Sequence, residues 1–168
     1  MPHLVFSIHQ DWVGKMPTYQ GQFVPGQVLN AADLNAFTPA ALYQSNGNQL
    51  IPNAAFTNLS FASYGSAGIT SWVGAGNGRI TPNVSGYYRV TANVQMGNTG
   101  VRSIISIVKN VATVVATNDM VAASLGTGIT CVVFLNGTTD YVSTTVYQQS
   151  GAANNYTNYQ LTVSLIWQ

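Results

Sequence analysis

Four carboxylates are all that this 168-residue chain offers to acid–base chemistry: Asp11, Asp33, Asp119 and Asp140, with no glutamate anywhere. Hydrolysis of a glycan usually needs two carboxyl groups about 5 to 9 Å apart. Only Asp119 and Asp140 fall in the part of the chain that reads as a folded head. Asp140 stands at the start of a strand pattern, where capping a turn is the ordinary work of an aspartate. The histidines, His3 and His9, lie near the beginning, remote in sequence from every later serine, so a hydrolytic triad lacks its base. No glycine-rich phosphate cradle with its lysine is present. Cys131 is the single cysteine, which excludes an intrachain disulfide and a thiolate metal cage. Set inside the apolar run Ile129–Leu135, it reads as a small buried hydrophobe. These residues point away from an enzyme, and no metal or cofactor is expected.

Composition bounds the remaining classes. Charged residues make up 5% of the chain, against roughly 25% in an ordinary soluble domain. The bases are Lys15, Arg79, Arg89, Arg102 and Lys109, too few and too scattered to track a phosphate backbone, so nucleic acid is not an expected partner. Asn, Thr, Ser, Gln and Gly supply the polarity instead. Disorder is excluded by 11% aromatic content and an abundance of Val, Ile and Thr, which suit pleated sheets. A net charge of +1 leaves little repulsion between copies, which fits a protein that lives as a tight oligomer. Nowhere do about 18 consecutive apolar residues occur, so no membrane-inserted helix is expected. Met1–Ile8 has neither the basic start nor the long apolar run of a secretory signal.

The elements that would position these residues change character along the chain. Trp12, Pro17, Tyr19, Phe23 and Pro25 punctuate a stretch without a sustained period, which reads as an extended arm fixed by a partner. Asn30 is a good helix cap with Asp33 three residues on, and Pro39 ends that helix after roughly two turns. From about Gln44 the period becomes two. Tyr88, Val90, Ala92, Val94 and Met96 point one way; Arg89, Thr91, Asn93 and Gln95 point the other. Tyr159, Leu161, Val163, Leu165 and Trp167 form a second apolar set, Ile129, Cys131, Val133 and Leu135 a third, and Val142, Thr144 and Val146 a fourth. Residues 56–61, 103–108 and 111–116 add further strands. Turn signals such as Asn77-Gly78, Pro82-Asn83, Lys109-Asn110, Asn136-Gly137 and Ser150-Gly151 separate them. This pattern predicts an all-β antiparallel sandwich or barrel of about eight strands.

Several phrases carry a family resemblance. Gln49-Leu50-Ile51-Pro52-Asn53 followed by Phe56–Phe61 resembles the opening strands of complement globular-head and tumour-necrosis-factor-like jelly rolls. The phrase Arg79-Ile80-Thr81-Pro82-Asn83-Val84-Ser85-Gly86-Tyr87-Tyr88 resembles that superfamily's apolar strand end, proline turn and Gly-Tyr-Tyr. Ile105–Asn110 is similar to its mid-domain strand ending in Lys-Asn-Gly, and Phe134–Val142 to its Leu-x-x-Gly-Asp-x-Val strand. Val111 and Thr139 depart from the pattern, each standing where the family often has glycine. Phe23–Asn35, with Pro25-Gly26 and Ala31-Ala32-Asp33-Leu34-Asn35, resembles the leading segment of phage tail-fibre proteins. Together the resemblances imply an antiparallel jelly roll over residues 42–168, assembled as a homotrimer and preceded by a virion-attachment arm over residues 1–41. Members of the superfamily sometimes hold calcium, but two head aspartates make a poor oxygen cage.

What remains for this chain is recognition. The implied role is a short tail fibre presenting a receptor-binding head, the rival being a capsid decoration protein or head fibre. A free secreted lectin is a third class, against which the leader counts. Neutral sugars bind aromatic faces, amides and hydroxyls. Tyr64 and Trp72 lie in a glycine-rich stretch; Tyr147, Asn154, Asn155 and Tyr156 form a second polar–aromatic stretch. Trp72 and Tyr147 have a competing role as core or trimer-interface aromatics, whereas Tyr156 reads as the most exposed. Trp12, Tyr19, Phe23, Leu29 and Leu34 are the apolar candidates for docking to other virion proteins, and a host surface glycan is the expected ligand.

Overall fold

Alternation of apolar and polar side chains takes its fullest form in the eleven-residue strand Gly86–Met96, whose inward residues are buried without exception. The computed structural model describes residues 40–45, 47–61, 63–67, 73–75, 78–97, 100–121 and 126–167, with 63–67 and 73–75 described by backbone alone. The helix expected from Asn30, and Trp12, Tyr19, Phe23, Leu29 and Leu34, lie outside the described residues.

Among the described residues every regular element is a strand: β1 (Ala40–Gln44), β2 (Gln49–Ile51), β3 (Thr57–Asn58), β4 (Ser63–Ala67), β5 (Val73–Ala75), β6 (Arg79–Thr81), β7 (Gly86–Met96), β8 (Arg102–Lys109), β9 (Thr113–Val121), β10 (Gly126–Leu135), β11 (Val142–Gln149) and β12 (Asn154–Trp167). They form two antiparallel sheets. The first has the order β10-β7-β12-β1-β4, with β2 on β12; the second has the order β5-β6-β11-β8-β9, with β3 on β11. From β7 onward the chain steps between layers, and β8–β9 is the hairpin between strands adjacent in sequence. This order is that of a jelly roll. β1 begins at Ala40 and pairs with β12 and β4, so the sandwich takes in two residues that the sequence reading assigned to the arm.

The core fills the space between the sheets. From one side come Tyr88, Val90, Ala92, Val94 and Met96 of β7 with Leu161 and Val163 of β12; from the other come Ile105 and Ile107 of β8 with Val142 and Val146 of β11. Tyr43, Phe61 and Tyr159 meet edge to face at one end, with ring centres 5.9 and 5.3 Å apart. Cys131 is half-buried against this core, and burial pushes its thiol up, away from reactivity.

Turn chemistry fixes the registers. Gly137 has φ +73°, and a Cβ there would press into the backbone of Val84 and Ser85, so the close approach of two turns requires glycine. With Gly137 taking the left-handed position, Thr139 needs no glycine, which explains that departure from the family phrase. The departure at Val111 is different. Asn110 and Val111 both have positive φ, +53° and +73°, so the turn between β8 and β9 keeps a geometry that suits glycine while carrying a β-branched residue.

Buried phenols bond within the fold. The Tyr88 hydroxyl donates to the Val84 carbonyl at 2.6 Å, and burial pushes this phenol up to about 12. Burial raises Tyr156 and Tyr159 as well. A raised folded pKa stabilises the fold fully below the unfolded value of about 10 and loses that contribution as pH rises through the folded value. Stability should therefore be flat through neutral pH and fall between pH of about 10 and about 12. Tyr88→Phe should make that decline shallower in urea titrations across this range, and an equally steep decline in the variant would refute the assignment.

Candidate functional site

Two outward surfaces carry more than solvated polar side chains. The first lies on the outer face of the β5-β6-β11-β8-β9 sheet. There the side chains of Ile104, Ser106 and Val108 on β8, Val114, Thr117 and Asp119 on β9, and Thr145 on β11 line a groove of about 500 Å³, rimmed by Phe56 and Val111. Phe56 is 62% exposed although it is apolar, and Val111 is 73% exposed. Phe56 precedes β3 and reaches Tyr147 of β11, with ring centres 5.1 Å apart and a 40° tilt.

A charge pair completes this surface. Arg102 starts β8, and its strand partner is Val121 near the end of β9. Its Nε and Nη2 donate to the two carboxylate oxygens of Asp119 at 3.0 and 2.6 Å, a two-pronged contact. Asp119 is held below the usual carboxylate range, chiefly by hydrogen bonding from Arg102, and Arg102 is raised by the same contact. The guanidinium also lies 5.9 Å from the centre of the Tyr147 ring. Beneath the rim, Ser106 Oγ and Thr117 Oγ1 share a hydrogen bond of 2.9 Å.

The second surface is the exposed end of the β10-β7-β12-β1-β4 sheet. Tyr87, Phe134 and Trp167 are 41%, 44% and 69% exposed, and Val132 and Ile166 stand exposed nearby. Tyr87 stacks on Trp167 at 5.5 Å and 17°, and meets Phe134 edge to face at 5.4 Å. Trp167 was expected inward, in phase with Tyr159 and Leu161. A register shift between Leu165 and Trp167 turns it outward, because one extra residue reverses the face to which a strand side chain points. Beyond the aromatic end, Asn93, Gln95, Thr127 and Asn158 line a hollow of about 460 Å³ on the same sheet.

The two aspartates of the head do not come together. Asp119 pairs across the sheet with Ile104, whereas Asp140 is bound to Lys109 at 2.8 Å. Roughly 16 Å of strand β8 separates those positions at about 3.3 Å per residue. Asp140 also accepts from Asn110 Nδ2 at 2.6 Å and from the Asn136 amide at 3.1 Å, and Lys109 first among these holds it below the usual range. It caps the turn before β11. Among the described residues no three His, Cys, Asp or Glu side chains gather as metal ligands would.

Of the recognition candidates, Tyr147 is half-buried beside the groove, where its ring meets Phe56, and does not itself line it. Asn154 and Asn155 begin β12 opposite Ile51 and Leu50, and neither lines the groove. Tyr64 lies on β4 opposite Tyr43, and Trp72 is outside the described residues. The expectation that Tyr156 is exposed is overturned. It is 1% exposed, and its hydroxyl points to Ser103 Oγ at 3.5 Å inside the sandwich. The polar run before it suggested a loop tip, but Asn154 already belongs to β12, so alternation carries Tyr156 inward. Gln148 is likewise buried, donating to the Ile51 and Ala152 carbonyls and accepting from the Ser150 amide. Sequence reasoning missed Phe56, Arg102, Asp119, Tyr87 and Phe134. Only Tyr87 had a legible signal, as the outward neighbour of Tyr88.

No family model matches the chain, and no curated protein matches it in sequence. Solved structures do. Vertex protein P5 of PRD1 superposes with a TM-score of 0.59 at 21% identity, covering 77% of this chain and 96% of that one. Murine APRIL superposes with a TM-score of 0.52 at 9% identity, covering 77% and 99%. Eiger TNF from S. frugiperda gives 0.49 at 11% identity, over 78% and 94%. The fold is a jelly roll.

The burial difference between two aromatics is directly measurable. Tyr156→Ala should cost about 3–5 kcal/mol of stability, as for a large buried ring. Phe56→Ala should stay within about 0.5 kcal/mol, because its ring is mostly in water. Urea denaturation of both variants decides this; equal costs would contradict the placement of the rings.

Proposed function

We propose that this chain is a non-catalytic structural protein of a phage particle, a trimeric fibre whose jelly-roll head presents a receptor-binding surface and whose residues before Ala40 dock to other virion proteins. The observation that carries the reading is the likeness to a vertex protein of PRD1 over nearly the whole of that chain. The leader phrase Phe23–Asn35 supports it independently. Of the two positions weighed from the sequence, tail and capsid, the word vertex in that name favours a fibre on the capsid. The wide separation of Asp119 and Asp140 supports a role without catalysis.

The partner proposed for the aromatic end of the β10-β7-β12 face is a second and a third copy of this chain. An exposed cluster of Tyr87, Phe134 and Trp167, flanked by Val132 and Ile166, is costly to leave in water. Burying it around a threefold axis removes that apolar surface, and rings of this type are the usual anchors of interfaces. Arg89 is the charged side chain of β7 on this face, and Lys109, whose ammonium lies 5.9 Å from the Phe134 ring, is already paired with Asp140, so little repulsion opposes assembly.

Light scattering of the full chain at micromolar concentration should return three copies. Trp167→Asp combined with Phe134→Asp should yield monomers with an unchanged far-ultraviolet spectrum. A wild-type monomer would refute the trimer. Purified particles should contain the chain, with heads visible in an image reconstruction at the capsid vertices; particles that lack it would refute the virion reading.

A further inference from the structure

The groove on the outer face of the β5-β6-β11-β8-β9 sheet and its edge combine four features that stability alone does not explain: an exposed phenylalanine, a ring pair, a two-pronged ion pair beside it, and a strained valine on the rim. We propose that this groove and its edge bind a neutral saccharide, with Phe56 on the rim and Tyr147 beside it as the stacking platform, and Asp119 in the groove and Arg102 beside it as the hydroxyl-recognition pair. The inference rests on the receptor-binding head proposed above and names the site and ligand class that such a head would use.

Val111 is the most telling residue. With φ +73° it occupies a backbone region where a β-branched side chain is a genuine outlier. Glycine would relieve the turn, yet valine is present, and its side chain points into water at the groove rim. Backbone strain of this kind concentrates at ligand sites, where the side chain's contact outweighs its conformational cost. Phe56 raises the same question, since no interior contact requires its ring to stand in solvent.

The chemistry of the surroundings selects the ligand. The groove lies on the face of the sheet, away from the in-plane main-chain groups, and β8 beneath it is paired on both sides, so a peptide lying in it would find no main-chain ladder to extend. A hydroxyl pair and an ion pair interrupt the apolar floor, which disfavours a lipid chain. Asp119 and Arg102 neutralise each other, so the site attracts neither anions nor cations over a distance. They nevertheless hold a fixed acceptor beside unused guanidinium donors, an arrangement that matches adjacent sugar hydroxyls, each both donor and acceptor. The C–H face of a pyranose ring then lies against Phe56 and Tyr147. A groove of about 500 Å³ is within the usual size for small ligands. Three copies per trimer would raise a weak single-site affinity to a useful avidity.

The test applies the full-length protein to an array of immobilised neutral, sialylated and sulfated oligosaccharides, in low and high salt. Binding to neutral oligosaccharides is expected, changing less than about twofold across the salt series. Phe56→Ala and Tyr147→Ala should each lose tenfold or more while the thermal midpoint of Phe56→Ala holds. Val111→Gly should raise the midpoint by about 3 °C and weaken binding, separating the residue's contact from its strain. The proposal is overturned by an array on which no neutral sugar binds, by binding confined to charged glycans and lost in salt, or by neutral-sugar binding indifferent to Phe56→Ala and Tyr147→Ala. Particles that carry the heads keep the virion reading standing in each of those cases, whereas particles without them remove that reading and leave the array result to be judged alone.

Discussion

The fit of β7 between β10 and β12 is the constraint on which the rest of the molecule depends. Its register runs from Gly86 against Leu135 to Gln95 against Gly126 on one side, and from Tyr87 against Trp167 to Met96 against Tyr156 on the other. A slip of one residue would carry Arg89, Asn93 and Gln95 into the core, where each polar group without a partner costs about 1–3 kcal/mol. The same slip would expose Tyr88 and Val90. Pro82, Gly137 and the bond from Tyr88 to Val84 hold the strand's start in place, so the pleat cannot drift. Both outward surfaces take their positions from this frame.

Polarity without charge shapes everything outside that frame. Several buried polar side chains find partners at short range: Gln148 spans two carbonyls and an amide, while Ser106 bonds to Thr117 across β8 and β9. Asn118 bridges to Thr127 and Gly128, stitching the edge of one sheet to the edge of the other. The few charges among the described residues are mostly consumed internally. Arg102 pairs with Asp119, Lys109 pairs with Asp140, and Arg79 lies over the Tyr141 ring at 4.5 Å. What the molecule shows to its surroundings is therefore aromatic and amide chemistry, which acts at contact distance rather than through long-range fields.

The two sheets differ in what they expose. The end of the β10-β7-β12 face gathers Tyr87, Phe134 and Trp167 from three strands into an exposed apolar surface. The β5-β6-β11-β8-β9 sheet instead sets Phe56 and Tyr147 beside a closed ion pair. The two surfaces share no residue.

The sequence by itself determined the fold class, because period two is a local property that pleating converts directly into an inside and an outside. The sets headed by Tyr88, Ile129, Val142 and Tyr159 were legible in this way, as were the turns at Pro82-Asn83 and Asn136-Gly137. The Gly-Tyr-Tyr phrase carried the jelly roll. Local pattern failed where a pairing partner decided the phase. Trp167 turned outward at a register shift set by β7, and Tyr156 turned inward because β12 begins two residues earlier, at Asn154, against β2. Only the tertiary structure could assemble the groove and the residues at its edge. Phe56, Arg102, Asp119 and Tyr147 lie on four separate segments, and no spacing along the chain encodes which strands a jelly roll lays side by side.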